Sequence, residues 1–184
     1  MLSPEARARI LEIARESVKH AVLIGGPLPV NAAEEHPELR PPRATFTTLE
    51  EDGALRGCTG VVVAFRPLAE DVAATAASAA TQDTRFPPVR PEELPRIDVS
   101  VSVLSPMERL PVGSEEELLA ILRPGVDGLM LTEGMRRGVF LPQVWESLPR
   151  PRDFLEHLRR KASLPPGYWS DTLQVHRFTV EKVR

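Results

Sequence analysis

The residue best suited to chemistry is Cys58, the one thiol of the chain, set in Gly53-Ala54-Leu55-Arg56-Gly57-Cys58-Thr59-Gly60. A cysteine acts as a nucleophile through its thiolate, and a neighbouring guanidinium favours that form. Asp52-Gly53, just upstream, is the pair that tight hairpin turns select. On the returning strand of such a hairpin, side chains alternate between faces. Arg56 and Cys58 then point one way, and Leu55 and Thr59 the other. Gly57 and Gly60 carry no side chain and leave room for a backbone or a ligand to approach the sulfur. Cys58 is therefore the candidate catalytic or contact residue, and Arg56, Gly57, Thr59 and Gly60 are candidate ligand-binding positions. The competing reading is a small buried filler, a common fate of free cysteine.

Two further groups could join it. His157 and Lys161 are four apart on a helical stretch, flanking the apolar stripe Phe154, Leu158, Ala162. A Cys–His pair is the minimum for activating a sulfur nucleophile, which makes His157 the candidate base and Lys161 an anion contact. Asp83-Thr84-Arg85-Phe86-Pro87-Pro88 is a loop stiffened by two prolines. Asp83 offers a carboxylate and Arg85 a forked donor, either for a ligand or simply to hold the connector. The four histidines, His20, His36, His157 and His176, show no metal-ligand spacing. Neither a phosphate-binding loop, a dinucleotide fingerprint nor a Gly-x-Ser-x-Gly elbow is present, so no cofactor and no metal are expected.

Composition narrows the class. With 184 residues, 42% of them hydrophobic and 27% charged, the chain suits one globular domain, residues 1–184, with a larger and a smaller lobe. One cysteine makes no intrachain disulfide, the N-terminus begins with an amphipathic helix, and no apolar run approaches the roughly 20 residues of a membrane span. A cytoplasmic protein with no membrane partner is expected. Net charge is −3, although residues 134–184 hold ten Lys/Arg against five Asp/Glu. That basic third is the sole prompt for a nucleic-acid reading. An acidic whole without a recognisable binding module ranks it last.

The elements that must position these residues follow from periodicity. Ser3-Pro4 is a helix start, and Ile10, Ile13, Ala14, Val18 and Ala21 form one face of a helix that stops at Gly25-Gly26-Pro27. A proline-rich connector runs to Pro42. Residues 43–50 and 54–63 form the first hairpin, and residues 67–81 an Ala/Thr-rich helix. Ile97, Val99, Val101 and Val103 alternate with polar residues as a half-buried strand. Ser114 starts a helix with Glu115, Glu116 and Glu117 at the favourable end of its dipole. A second hairpin spans 126–141 and turns at Glu133-Gly134. Helical pieces follow around residues 144–145 and 151–163, and a strand over 173–183 closes the chain. Gly53-x-x-Arg56-Gly57-Cys58 and Gly134-x-x-Arg137-Gly138-Val139 share a spacing, which suggests a duplicated hairpin-plus-helix unit whose second copy lacks the thiol.

Four blocks, in order along nearly the whole chain, resemble the AMMECR-type domain. They are Leu55-Arg56-Gly57-Cys58-Thr59-Gly60, Asp83-Thr84-Arg85-Phe86-Pro87-Pro88, Val139-Phe140-Leu141-Pro142-Gln143-Val144, and Phe154-Leu155-Glu156-His157 with Lys161 to Pro166 and Trp169. Thr59 stands where relatives usually carry isoleucine. Arg159 stands where many carry a second cysteine, so a Cys/His/Cys site cannot form here. The resemblance implies an α+β fold of two lobes with an antiparallel-rich mixed sheet and flanking helices. It also implies an activity not settled for the family, and a role as the small component of a system with a Memo-type dioxygenase-like protein and a radical-SAM protein. The leading expectation is thus an accessory or ligand-binding component with a site for a small anionic or acyl ligand. The alternative is an enzyme with Cys58 as nucleophile and His157 as base.

Overall fold

Ser3 caps the first helix as its position suggests, its hydroxyl accepting the Ala6 N–H at 3.2 Å, and Pro4 opens α1, Pro4–Leu23. The computed structural model describes all 184 residues. After short 3-10 turns at Ala32–Glu34 and Pro37–Leu39 come β1 (Thr45–Glu51), β2 (Ala54–Gly60), α2 (Leu68–Thr81) and β3 (Ile97–Leu104). Then follow β4 (Glu108–Leu110), α3 (Glu115–Ile121), β5 (Gly128–Glu133), β6 (Arg136–Phe140), α4 (Pro151–Lys161), β7 (Gln174–Phe178) and β8 (Val180–Val183). The result is a mixed α+β fold with two four-stranded sheets, ordered β2-β1-β3-β8 and β4-β7-β5-β6. The chain divides into two compact units, Met1–Leu104 with Glu181–Arg184, and Ser105–Val180. No helix is long and apolar enough to cross a membrane.

In the first unit one face of the β1/β3 pair is covered by helices. Val99, Val101 and Val103 join Ile10, Ile13 and Val18 of α1 and the alanines of α2 in a core with almost no aromatic content. Small residues let the two helices approach closely, and the Ser17 hydroxyl of α1 donates to the Ala73 carbonyl of α2 at 2.6 Å. On the covered face of β1, Thr45 and Thr47 are fully buried. They are satisfied by Asp71 and Thr75 of α2 at 2.7–3.0 Å, so these polar groups cost little where they sit. The second unit packs Leu118, Leu129, Leu131, Leu155, Leu158 and Val175 around Phe154, on which Trp145 stacks at 3.8 Å between ring centroids.

Both hairpin turns match their residues. Asp52 and Gly53 have φ of 52° and 79°, the two positive values of a type I′ turn. Gly134 has φ of 57° ahead of Met135, which suits the glycine-first type II′ turn. Two expected strands are shorter than the sequence suggests. The 54–63 stretch leaves the ladder after Gly60, and the 173–183 stretch breaks at Thr179 into β7 and β8, which belong to different sheets. Ser105 holds that break: its N–H donates to the Thr179 carbonyl at 2.8 Å, and its hydroxyl accepts the Thr179 N–H at 2.9 Å.

The shared Gly-x-x-Arg-Gly spacing has a structural counterpart in each unit. A Cβ on Gly57 would strike the Ala79 carbonyl of α2. One on Gly138 would strike the Ala162 nitrogen and Leu158 carbonyl at the end of α4. In both cases the glycine of the returning strand lets the following helix lie directly on the sheet.

Candidate functional site

A β-bulge sets the orientation of Cys58. The ladder pairs Glu51 with Ala54 and Glu50 with Leu55, then skips Arg56 and resumes with Leu49 opposite Gly57 and Thr48 opposite Cys58. Uninterrupted alternation from the Asp52-Gly53 turn would have set Cys58 opposite Thr47, whose side chain faces α2. The extra residue shifts the register by one and turns the sulfur to the opposite face, beside Thr48. There the thiol is half-buried, and the Thr48 hydroxyl donates to its Sγ at 3.3 Å. Thr59, on the helix face, donates its hydroxyl to the Thr75 carbonyl at 3.0 Å.

The bulge also sends Arg56 elsewhere. Its guanidinium grips Glu93 at 2.9 and 3.2 Å and donates to the Pro87 carbonyl at 2.9 Å, with both side chains of the pair about one-tenth exposed. Glu93 also accepts the Arg90 N–H at 2.7 Å. Together the Arg56 contact and that backbone donor lower its carboxyl from 4.5 to about 2. Arg56 is therefore a brace between β2 and the 87–93 segment, a role its expected place beside Cys58 did not suggest. The spaces at Gly57 and Gly60 are likewise occupied by the protein itself, the first by α2 and the second by the Phe46 ring and Thr45 carbonyl.

The cation that hydrogen-bonds to the sulfur's own residue is Arg85. Asp83, with a side chain 7% exposed, accepts the Cys58 N–H at 2.8 Å and the Arg85 Nε and Nη2 at 3.0 and 2.7 Å. The Arg85 guanidinium first, then the backbone N–H groups of Cys58 and Arg85, hold the Asp83 carboxyl far below the usual carboxylate range. Arg85 Nη2 reaches on to the Cys58 carbonyl at 3.3 Å. The outward N–H and C=O of Cys58, on an edge strand, are thus capped by one acid and one base. Nη1 of Arg85 makes no hydrogen bond, and the side chain is 56% exposed.

Cys58, Asp83 and Arg85 are brought together in the first unit, while His157 and Lys161 belong to the second. His157 is exposed on α4, and the Lys161 Nζ lies 5.1 Å over the Phe140 ring. Arg159, 2% exposed, takes the interior position on that helix and pairs with Glu115 at 2.6 Å and Glu156 at 3.2 Å. Thr48, Glu93 and Glu115 are partners the sequence does not announce. Thr48 needs the bulge to be found, and the two glutamates lie 37 and 44 residues from the arginines they hold.

Two antiparallel four-stranded sheets, each bearing a hairpin whose returning strand is pinned to a helix by glycine, with a capped edge cysteine in the first, define a two-unit α+β class of protein. A crystal structure of an uncharacterised protein from Pyrococcus horikoshii has this fold, with a TM-score of 0.83 at 32% identity over 98% of this chain and 92% of that one. The AMMECR1 family model matches residues 11–183, and the chain belongs to that family. A protein of Methanothermobacter thermautotrophicus is 38% identical over 187 residues, covering 98% of this chain and 94% of its own. One from Thermotoga maritima is 41% identical over 76% of each.

Proposed function

We propose that this AMMECR1-family protein is an accessory, ligand-binding component working with a Memo-type dioxygenase-like protein and a radical-SAM protein. Its ligand is a small anion or an acyl group held at Cys58 on the face of the first sheet turned away from α2. One observation carries the reading: Arg85 is locked by Asp83 and by the carbonyl of Cys58, whose thiol is half-buried, yet its Nη1 makes no hydrogen bond and its side chain is 56% exposed. A guanidinium fixed on one side and free on the other is preorganised for a carboxylate or phosphate. Cys58 is the contact residue and Asp83 the positioning residue. Nucleophilic catalysis would need a base within hydrogen-bond reach of the sulfur, and the polar group at that distance in this unit is the Thr48 hydroxyl, which favours binding over turnover.

The test uses iodoacetamide, a neutral probe, against the full chain. Inorganic phosphate, acetate and acetyl phosphate are each expected to slow Cys58 alkylation, with the protection lost in Arg85→Gln. Retention of the two partner proteins in a pull-down is expected to fall in Cys58→Ser. Alkylation indifferent to all three anions, together with no partner retained by the wild-type chain, rejects the proposal.

A further inference from the structure

The two hairpins end in edge strands that are treated differently. β2 is the outer strand of its sheet, and at Cys58 its outward N–H and C=O are capped by Asp83 and Arg85. β6 is the outer strand of the other sheet, and Val139 holds the place that Cys58 holds in the shared spacing. The two-residue turn at Gly134-Met135 makes Glu133 and Arg136 a mutually hydrogen-bonded pair. In an antiparallel ladder the next residue then points its N–H and C=O away from the partner strand. Arg137 and Val139 are those residues, opposite Thr132 and Met130. Within the unit, no side chain and no turn supplies a hydrogen bond to their outward groups, and the loop after α4 brings no counterpart of the Asp83–Arg85 pair.

The charged side chains left without an ion-pair or hydroxyl partner around this edge carry one sign. The ion pairs of the second unit are made by Arg123, Arg150, Arg152, Arg159 and Arg177. Arg136, Arg137, Arg160 and Lys161 are exposed and take part in none of them. Arg136 shares the α4 side of β6 with Gly138 and Phe140, where Lys161 lies over the Phe140 ring, and Arg137 shares the other side with Val139. Glu133, the closest acid in the ladder, is committed to the hydroxyls of Ser170 and Thr172 at 3.1 and 2.6 Å.

We propose that the β6 edge is a docking site for an acidic peptide segment in extended conformation, which adds as a fifth strand by bonding to the N–H and C=O of Arg137 and Val139. The first unit supplies the chemical precedent, since there a carboxylate and a forked donor satisfy the same positions. A second copy of the chain is a poor occupant, because β6 against β6 would bring arginines together across the new ladder. Backbone bonds supply the affinity, and the cations select glutamate or aspartate at alternate positions of the partner.

The probe is an acetylated, amidated heptapeptide of alternating glutamate and valine. Its controls are the glutamine–valine analogue and a version N-methylated on alternate amides. Titrated into the full chain and followed by amide NMR, the acidic peptide is expected to slow hydrogen exchange at Arg137 and Val139. The glutamine peptide and the double variant Arg136→Glu, Arg137→Glu are each expected to bind at least about tenfold more weakly. Binding should weaken as salt rises from about 0.05 to 0.5 M. Val139→Pro removes an outward donor without touching the β5 ladder and should abolish binding; should that variant unfold, loss of binding by the N-methylated peptide, which lacks the N–H groups donated to the Arg137 and Val139 carbonyls, reads the complementary bonds of the same new ladder. Equal binding of the N-methylated peptide, no exchange protection at the two amides, or a concentration-dependent dimer that buries β6 overturns the proposal.

Discussion

Replacing Arg56 with alanine separates its bracing role from a role at the sulfur. The side chain makes two bonds to Glu93, one at 2.9 Å to the Pro87 carbonyl and one at 3.4 Å to the Pro88 carbonyl, and the pair is about nine-tenths buried. Truncating one partner of a fully buried ion pair costs about 3–5 kcal/mol. Glu93 keeps its Arg90 N–H at 2.7 Å and the Arg90 guanidinium at 3.5 Å, so a loss of about 2 kcal/mol is expected. Urea unfolding reads this as a fall in midpoint with an unchanged slope. The pH dependence supplies a second reading. Glu93 titrates at about 2 in the folded chain against 4.5 when free, so its contribution is complete above pH 4.5 and is lost as pH falls toward 2. In Arg56→Ala that acid-side loss should shrink, because much of the shift has gone. Under native conditions the alkylation rate of Cys58 should stay within about twofold of wild type, since the guanidinium points to Glu93. A stability change under about 0.5 kcal/mol, or a large drop in alkylation with stability unchanged, refutes the bracing role.

The glycines and the loop acid give further expected outcomes. Gly57→Ala and Gly138→Ala each drive a Cβ into helix backbone and should cost about 2–3 kcal/mol in thermal or urea unfolding, whereas Gly53→Ala meets open space and should cost only about 1 kcal/mol for its positive φ. Asp83→Asn breaks the paired grip on Arg85, so exchange of the Cys58 amide should quicken at least about tenfold by NMR, as expected for a bond worth about 1.4 kcal/mol or more. Arg159→Met leaves Glu115 without its main partner and should lose about 2 kcal/mol; adding Glu115→Met should restore part of that, a coupling read by a double-mutant cycle.

Much of the fold is legible in local sequence. Ser3-Pro4, Asp52-Gly53, Gly134 and the Val99, Val101, Val103 alternation report their own structure, because capping, positive φ and period-two burial depend on residues a few positions apart. The break at Thr179 is not legible, since the serine that holds it lies 74 residues away. The site divides in the same way. Its residue types and the stiff Asp83–Pro88 loop are visible in the sequence. The duties of Arg56 and Arg159 are not, because their carboxylate partners lie in distant segments.

By itself, then, the sequence determined that a hairpin would carry the thiol and that glycines would flank it at Gly57 and Gly60. Only the tertiary structure decided which face that thiol occupies. Strand side chains alternate strictly, so one inserted residue at Arg56 reverses every later position, and nothing local to the hairpin announces the insertion. The reason lies in packing. Glu93 draws the Arg56 side chain out of the ladder while α2 presses its Ala79 carbonyl against Gly57, and the sulfur comes to rest beside Thr48 instead of in the helix-covered core.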